Sequence, residues 1–379
     1  MKAREHPVRN LTSQIKANNA FSPDNFAKIS VFYLKLIIQE PFRIYERLSY
    51  TNEIQEHRLK KDPIFIIGHW RSGTSFLQYL LSQDPQFGFM NKFQVVFPDI
   101  FISSEHALKS LVNKIPSSLN LIRDAQNMSI NLELDSPSEI EIALTTMISP
   151  ASLHWGHIFP KDAEHYFNKY LFFETATEQE IQQWKDDYRY LIKKTSLEND
   201  GKQLILKSPA NSCRIDKLLE LYPKAQFIFI HRNPYDVFYS SKKLWDTLLD
   251  NLALQKYSEE KRENAIIDVY KKLMLCYIEQ KKAVPHKQLT EIRFDHFIKD
   301  PVNELSTVYE KLDITGFDAA KSHFKEFLTQ KEKGKSSNYH YEECDLTKIN
   351  KEWKFAFDYW NYSIRKAGEK AKNVGLSET

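Results

Sequence analysis

Short apolar runs and longer helical patterns alternate along much of the chain. Four runs have the length and composition of buried strands: Ile64–Ile67 (IFII), Leu204–Lys207 (LILK), Phe227–Ile230 (FIFI) and Glu291–Phe294 (EIRF). Each run leads through a short turn into residues with a helical spacing of apolar side chains. Short apolar strands that alternate with helices are typical of a parallel sheet covered on both faces. The pattern therefore predicts an α/β fold with a parallel sheet flanked by helices.

The helices that follow these strands can be bounded from the same pattern. They are predicted over Thr74–Ser82, Cys213–Leu221, Tyr235 to about Leu249, and Val302–Leu312. Asp300 is expected to cap the last helix, with Pro301 at its first position, where a missing backbone N–H costs nothing.

The remaining segments predict the domain organisation. Residues 1–61 are expected to form an N-terminal helical segment, 62–330 the α/β domain, and 331–379 a C-terminal loop and helix. Between the first two strands, about 135 residues carry no comparable strand signal. We therefore expect a largely helical insertion over about 100–200, on the acceptor side of the domain.

The segment Phe26–Leu48 has apolar residues at helical spacing, and Pro41 inside it predicts a break or kink. Two interpretations are open. The segment lies on a membrane surface or lines an apolar pocket, or it is a helix packed on its own domain. The amphipathic pattern alone favours the packed helix.

Composition excludes several classes of protein. The chain has 379 residues, and its 42% hydrophobic content allows a packed core and excludes a disordered chain. Its 53 Lys and Arg against 50 Asp and Glu exclude a histone-like protein, so no nucleic-acid partner is expected and any anion site must be local. No apolar stretch approaches the ~20 residues of a transmembrane helix. Three separated cysteines and an N-terminus without an apolar signal region predict a reduced, cytoplasmic protein.

The stretch from Gly68 to Ser75, GHWRSGTS, follows a buried strand and opens a helix. Backbone N–H groups in such a loop, with the N-terminal end of the helix, form an anion cradle. The stretch resembles a P-loop, but Thr74 stands where that motif has Lys, and the cation is Arg71 inside the loop.

A second anion motif begins where the run FIFI ends. That run leads into His231 and Arg232. A site that binds Mg²⁺ and a nucleoside triphosphate usually has a carboxylate at the end of this strand. Arg232 lies at the carboxyl end of a predicted strand and Ser240 two turns along the next helix, so both can grip one phosphate group. We expect a nucleotide neutralised by protein cations, and no metal ion.

With these motifs in this order, the sequence resembles the sulfotransferases that use 3′-phosphoadenosine 5′-phosphosulfate (PAPS), in particular bacterial members of the P-loop-like sulfotransferase fold. The matching stretches are GHWRSGTS, LILKSP, HRNPYDVFYSS and RFDHFIKDPVNEL, within roughly residues 62–98 and 202–315. The resemblance implies that Ser72, Gly73, Thr74 and Ser75 bind the 5′-phosphate. It also implies that Arg71 contacts the phosphosulfate, that Arg232 and Ser240 hold the 3′-phosphate, and that Lys207 assists the leaving group.

The general base departs from the family pattern. Many cytosolic members place a histidine two residues after the strand lysine, where this chain has Pro209. The best substitutes are Glu139 and Glu141, in a segment resembling an acidic stretch of some bacterial members, and at most one of them is expected to point inward. Asp135, His154 and His157 are further candidates, and a carboxylate that merely caps a helix is the structural alternative. Trp70 is expected to pack rather than stack on adenine, and Lys333 and Lys335 are possible additional phosphate contacts.

These observations predict a sulfotransferase that moves a sulfuryl group from PAPS to a hydroxyl acceptor, either a small molecule or an apolar alcohol such as a sterol or lipid. Two alternatives are a small-molecule P-loop kinase and a non-catalytic relic of the fold that binds adenosine bisphosphate. The sequence leaves the oligomeric state open.

Overall fold

The computed structural model describes residues 6–112, 134–330 and 341–365. The chain divides into two compact units, which we call the helical unit and the sheet unit. The helical unit comprises Met1–Lys60, Gly88–Lys202 and Asp246–Ser258, and the sheet unit comprises Lys61–Phe87, Gln203–Trp245 and Glu259–Thr379.

The sheet has five strands. In chain order they are β1 (Ile64–Gly68), β2 (Phe87–Gly88), β3 (Gln203–Lys207), β4 (Gln226–His231) and β5 (Leu289–Arg293). Their order across the sheet is β2-β3-β1-β4-β5, and β1 pairs in parallel with both β3 and β4, as β4 does with β5. The side chains of β1 are almost completely buried, which explains why this strand is a continuous apolar run.

The described residues also form helices in both units. In chain order they are α1 (Pro7–Ala17), α2 (Phe26–Glu56), α3 (Thr74–Leu81), α4 (Lys92–Val96), α5 (Phe101–Val112), α6 (Ile140–Thr146), α7 (Trp155–Ile158), α8 (Ala163–Tyr166), α9 (Glu178–Glu198), α10 (Ile215–Leu221), α11 (Pro234–Leu252), α12 (Glu259–Gln280), α13 (Phe294–Phe297), α14 (Pro301–Lys311), α15 (Phe317–Gln330), α16 (Glu343–Glu352) and α17 (Lys354–Trp360).

The four predicted strands and the helices after them are confirmed. The N-cap prediction also holds, because the Asp300 carboxylate accepts a hydrogen bond from the Asn303 N–H at 3.2 Å and Pro301 begins α14. The two-residue strand β2 was not predicted, since so short a run gives no periodic signal.

Three boundaries differ from the prediction. The last strand ends at Arg293, and Phe294 opens the short helix α13 instead. A 3₁₀ turn over Pro209–Cys213 delays α10 to Ile215. The helix is not broken at Pro41, because α2 continues through it from Phe26 to Glu56, and the alternative of a kink stays a prediction. One missing backbone donor is tolerated there, since side chains on both sides of it are buried, including Leu36 and Ile54.

In the helical unit, the regular elements of the described parts of 88–202 are helices, apart from Gly88 at the end of β2, as predicted for the insertion. The helix α9 begins with a capping box between Thr177 and Glu180 and buries Trp184 and Tyr188. No helix in the described part of the chain is both long enough and apolar enough to cross a membrane.

Candidate active site

The loop after β1 is shaped by two glycines. Gly68 has φ 146°, and a Cβ there would lie 2.3 Å from the backbone oxygen of Ile230 on the neighbouring strand. Gly73 has φ 99°, and its Cβ would lie 2.4 Å from the ring of Phe294. Both positions combine a left-handed backbone with close approach, so only glycine fits. This spacing closes the loop between β1 and α3.

Arg71 lies inside this loop with a strained backbone. Its φ of 69° is uncommon for a residue other than glycine, and such strain costs about 1–3 kcal/mol and clusters at functional sites. The Arg71 Nε donates to the Ser240 Oγ at 2.6 Å. The loop cation therefore reaches the helix α11, on which the second predicted motif lies.

Arg232 follows β4 directly and is buried to 8% exposure. One of its terminal nitrogens donates to the backbone oxygen of Arg71 at 3.3 Å, and its guanidinium carbon lies 4.5 Å from the centre of the Phe294 ring. The register of the parallel strands, with Gly68 beside Ile230, explains why the two motifs meet. The structure thus brings Arg71, Arg232 and Ser240 together.

An acidic group accompanies Arg232. The Asp236 carboxylate lies 3.6 Å from the Arg232 Nε and accepts a hydrogen bond from the Tyr341 hydroxyl at 2.8 Å. Tyr341 also packs against the rings of Tyr235 and Tyr239. Asp236 therefore orients the guanidinium and links it to Tyr341, which precedes α16.

Lys207 ends β3 beside the same loop. Its backbone pairs with Ile66 on β1, and the side chain is 7% exposed. The 3₁₀ turn that follows contains Ser212, whose hydroxyl accepts from the Gly68 N–H at 2.8 Å and donates to the Gly68 oxygen at 3.0 Å. The end of β3 and the loop after β1 are therefore held in one arrangement.

The sequence reasoning missed Phe294 and Ser212 as site residues. Phe294 packs against Gly73 and supports the Arg232 guanidinium, and Ser212 fixes Gly68. The only available signal was their position just after the ends of β5 and β3, because neither residue type is itself diagnostic.

The first turn of the loop contains a neutral histidine. His69 is buried, its Nδ1–H donates to the Trp70 oxygen at 2.7 Å, and burial lowers its pKa to about 4. Trp70 is half-buried, with its ring edge-on to His69. At neutral pH the charge of this loop is therefore that of Arg71. Lys333 and Lys335 lie outside the described residues.

Glu139 and Glu141 lie in the helical unit, at the start of α6. Both side chains are buried, at 7% and 0% exposure, so the expectation that at most one points inward is wrong. Glu139 is extended and precedes the helix, whereas Glu141 is in its first turn, so neither strand nor helix geometry alone relates them. Glu139 occupies the N-cap position without a side-chain capping hydrogen bond, which removes the simplest structural alternative.

The other candidate bases also lie in the helical unit. Asp135 is 81% exposed on its side chain and pairs with Lys109. His154 and His157 form a buried pair with 3.2 Å between their Nδ1 atoms. Burial and then the neighbouring His154 lower the pKa of His157, so this imidazole is neutral at neutral pH but a weaker base than an exposed histidine.

Comparisons with solved structures agree with this architecture. Sulfotransferase STF9 from Mycobacterium avium superposes with a TM-score of 0.73 at 16% identity, over 97% of this chain and 94% of that one. Sulfotransferase STF1 from Mycobacterium tuberculosis gives a TM-score of 0.65 at 15% identity, over 84% and 85%. At these identities the likeness establishes a common fold, the P-loop-like sulfotransferase fold.

Sequence comparisons reach the family itself. The chain is 25% identical over 322 residues to the omega-hydroxy-beta-dihydromenaquinone-9 sulfotransferase Stf3 of Mycobacterium bovis and of Mycobacterium tuberculosis, covering 84% of this chain and 80% of each relative. The model of the sulfotransferase family matches residues 63–319, which include the strand-tip residues from Gly68 to Ser240. The chain therefore belongs to the sulfotransferase family.

Proposed function

We propose that this chain transfers a sulfuryl group from PAPS to the hydroxyl group of an apolar acceptor, such as a sterol or a hydroxylated lipid. The observation that carries the proposal is the meeting of Arg71, Arg232 and Ser240 at the tips of the neighbouring strands β1 and β4. The family match favours sulfuryl transfer over the alternative of a small-molecule kinase.

The residues present fit a doubly phosphorylated adenosine. Arg232 and Ser240 are assigned to the 3′-phosphate, because a planar guanidinium and a nearby hydroxyl together offer several donors to one anion. The Ser240 Oγ accepts from Arg71, so its own O–H can donate to a phosphate oxygen. The N–H groups of Ser72, Gly73, Thr74 and Ser75, at the start of α3, are assigned to the 5′-phosphate.

The proposed reaction is an in-line displacement at sulfur. The acceptor oxygen forms a bond to sulfur while the bond between sulfur and the 5′-phosphate oxygen breaks, and the acceptor hydroxyl proton passes to a base. Arg71 and Lys207 stabilise the negative charge that grows on the departing phosphate. Glu139 or Glu141 is assigned as the base, with His154 and His157 as the alternatives. Positioning and charge stabilisation supply most of the catalysis, as in phosphoryl transfer.

An apolar acceptor has support from outside the strand-tip residues. The Stf3 relatives are named for a hydroxylated menaquinone, a lipid-like quinone. That name favours an alcohol carried on a large apolar group over a carbohydrate or peptide.

Ligand-dependent thermal unfolding tests the nucleotide assignment. Adenosine 3′,5′-bisphosphate at 1,000 times its dissociation constant should stabilise the protein by about 4 kcal/mol, because a ligand that binds only the folded state adds RT ln(1 + [L]/Kd). ATP with Mg²⁺ should give a much smaller effect at the same concentration. Protection by ATP with Mg²⁺ alone would reject the proposal and restore the kinase.

A second assay tests transfer itself. The full chain is incubated with PAPS and a panel of sterols, hydroxylated quinones, phenols and sugars dispersed in detergent, and products are identified by mass spectrometry. We expect the mass of a sulfate ester to appear with the apolar alcohols. Nucleotide binding without any sulfated product would favour the non-catalytic relic.

A further inference from the structure

The helix α2 carries most of the exposed apolar surface of the described chain. Among the described residues, thirteen large apolar side chains are exposed, and nine of these lie on α2. They are Phe26, Val31, Leu34, Ile37, Ile38, Phe42, Ile44, Tyr45 and Leu48. Scattered exposed apolar residues need no explanation, but a cluster of this size marks an interaction surface.

These residues form one continuous face. At 100° per residue, the positions within about 80° of Leu34 between Phe26 and Leu48 include one polar side chain, Ser30, and no charged one. The face is about 33 Å long, because each residue rises ~1.5 Å along the helix. Its centre is strongly exposed, with Leu34 at 57%, Ile37 at 62% and Leu48 at 78%. We call it the α2 apolar face.

The opposite side of α2 is anchored within the helical unit. Ile29, Leu36 and Ile54 are buried, and the buried Glu46 carboxylate pairs with the Lys194 ammonium. Glu46 also accepts hydrogen bonds from the backbone N–H and the hydroxyl of Ser103, both at 2.9 Å. Turning the apolar face inward would break this buried ion pair, which is strongly unfavourable. The helix is therefore fixed with its apolar face outward.

We propose that the α2 apolar face docks on the surface of a lipid bilayer, with the helix lying in the plane of the interface. Lys28 lies beside the face by helical spacing, and Arg47 is exposed farther round the helix. Both acidic residues of 26–48 are paired on the chain itself, Glu40 with Arg43 and Glu46 with Lys194. An apolar face on a helix with these cations and no uncompensated carboxylate suits a bilayer that contains anionic lipid.

The chemistry of the face favours lipid over a second copy of the chain. It spans about 160° of the helix, wider than the two-in-seven seam through which helices pair. Pro41 lies in its middle and cannot donate to the backbone oxygen of Ile37. A dry protein interface would penalise that oxygen, whereas the headgroup region of a bilayer supplies water to it.

This inference deepens the proposed function, on which it rests for an acceptor that resides in lipid. It is tested by binding alone, without nucleotide or acceptor. The full chain is sedimented with vesicles of phosphatidylcholine and phosphatidylglycerol in equal amounts. The variant Leu34→Ser/Ile37→Ser/Leu48→Ser should lower the partition coefficient by about tenfold or more, because binding scales with the apolar area inserted.

A matched control separates this face from general apolar exposure. Leu275 and Ile364 are also exposed but lie in the sheet unit, so Leu275→Ser/Ile364→Ser should leave the partition coefficient unchanged. Equal loss in both variants, or no vesicle binding by the unchanged protein, would overturn the proposal. If the α2 variant instead converts a dimer into a monomer in analytical ultracentrifugation, the occupant is a second copy and the lipid proposal is wrong.

A second measurement reports insertion of the α2 apolar face into the bilayer directly, through a gained signal and not through a loss of vesicle binding. The chain has six tryptophans, and none lies on α2. In the variant Leu48→Trp, the added fluorescence should be quenched by vesicles with brominated acyl chains, whereas that of Leu275→Trp should not. Unquenched Leu48→Trp would refute insertion. Detergent-dispersed acceptor would still report sulfuryl transfer, so the two proposals can fail separately.

Discussion

Two regions of this molecule carry the proposed chemistry, and the sequence defines them unequally. The first is the strand-tip region of the sheet unit, where Gly68 ends β1 and Arg71 and Arg232 follow β1 and β4. The second is the acidic segment of the helical unit, from Leu134 to Phe159, which contains the candidate bases. In the first region each residue's role is tied to the end of a strand. In the second, several proton acceptors are buried close together in sequence and no local rule ranks them.

The difference has a physical origin. A parallel pair of strands fixes what lies at both tips, because the register of Gly68 with Ile230 leaves one arrangement for the loop and for Arg232. A general base is defined by its distance from an acceptor oxygen, which depends on the whole fold and on the bound molecule. Anion sites built on strand tips are therefore readable from sequence, and bases supplied by an insertion are not.

The largest effect we predict ranks the candidate bases. Replacing the base by its neutral isostere, in Glu139→Gln or Glu141→Gln, should lower turnover by about 10²–10⁴-fold, the usual contribution of a general base. Affinity for adenosine 3′,5′-bisphosphate should not change, since neither carboxylate is assigned to the nucleotide. Single-turnover kinetics with PAPS measures the first quantity, and calorimetric titration measures the second.

Asp135→Asn provides the control for this ranking. Its side chain is 81% exposed and pairs with Lys109, so its loss should leave turnover unchanged. Full turnover in both glutamate variants would exclude them and transfer the role to His154 or His157. The base would then be a histidine of this segment and not one of its carboxylates.

The next effect tests whether close backbone approach defines the strand-tip region. Gly68→Ala should lower the free energy of unfolding by about 4 kcal/mol, because it adds overpacking against a backbone oxygen at 2.3 Å to the strain of a left-handed residue. Gly316→Ala is the matched control, with φ 90° and a nearest contact of 3.4 Å, and should cost about 1–2 kcal/mol. Urea unfolding measures both values, and equal values would mean that strain alone explains the glycine.

Substitution of Arg232 tests whether this side chain binds the nucleotide. Arg232→Ala should weaken binding of adenosine 3′,5′-bisphosphate by about 1.5–3 kcal/mol, the range for hydrogen bonds to a charged group. Arg293→Ala removes a cation from the tip of the adjacent strand β5, where the guanidinium donates to the Trp360 oxygen at 2.9 Å. That variant should bind the nucleotide nearly as well. Equal loss of nucleotide affinity in the two variants would mean that the summed positive charge at the strand tips binds the anion, and not Arg232 in particular.

The contrast between the regions also explains how far sequence reasoning reached. The strands, the helices after them and the Asp300 cap followed from apolar runs and turn residues, which act over a few positions. That Arg71, Arg232 and Ser240 belong to one nucleotide site was predicted from motif order, whereas the direct 2.6 Å hydrogen bond between Arg71 and Ser240 was not. Phe294 was assigned to a strand, because nothing local shows that its ring packs under Gly73 and Arg232.

In the helical unit, the sequence pattern could not predict burial that depends on contacts between residues far apart in the chain. The expectation that at most one of Glu139 and Glu141 points inward failed because the chain changes from extended to helical between them. For Phe26–Leu48 the amphipathic pattern showed two faces without showing which is covered. The buried pair of Glu46 with Lys194 decides that question, and its partners are far apart in sequence.

An effect that is smaller for each unit of pH concerns His231, at the end of β4. His231 is largely withdrawn from solvent, and burial, with the neighbouring Arg293, His296 and Lys281, lowers its pKa from 6.5 to about 3. Below pH 6.5, His231 therefore binds a proton in the unfolded chain, whereas in the folded chain it stays neutral until the pH approaches 3. The free energy of unfolding should fall by about 1.4 kcal/mol per pH unit as pH drops from 6.5 towards 3.

The variant His231→Asn isolates this contribution. Urea unfolding across the same pH range should show a slope reduced by that amount. An unchanged slope would assign the acid sensitivity to other groups, such as His69, whose pKa burial lowers to about 4.

The smallest predicted effect concerns Phe294, whose ring lies next to Gly73 and the Arg232 guanidinium. Phe294→Leu keeps an apolar side chain near Gly73 but removes the ring 4.5 Å from the Arg232 guanidinium, so nucleotide affinity should fall by about 0.5–1 kcal/mol. Phe297→Leu, in the same short helix, removes a buried ring that contacts Phe76. It should cost stability without changing affinity. If both variants lose affinity equally, the ring acts through packing alone, and the strand-tip region depends on distant contacts as much as the acidic segment does.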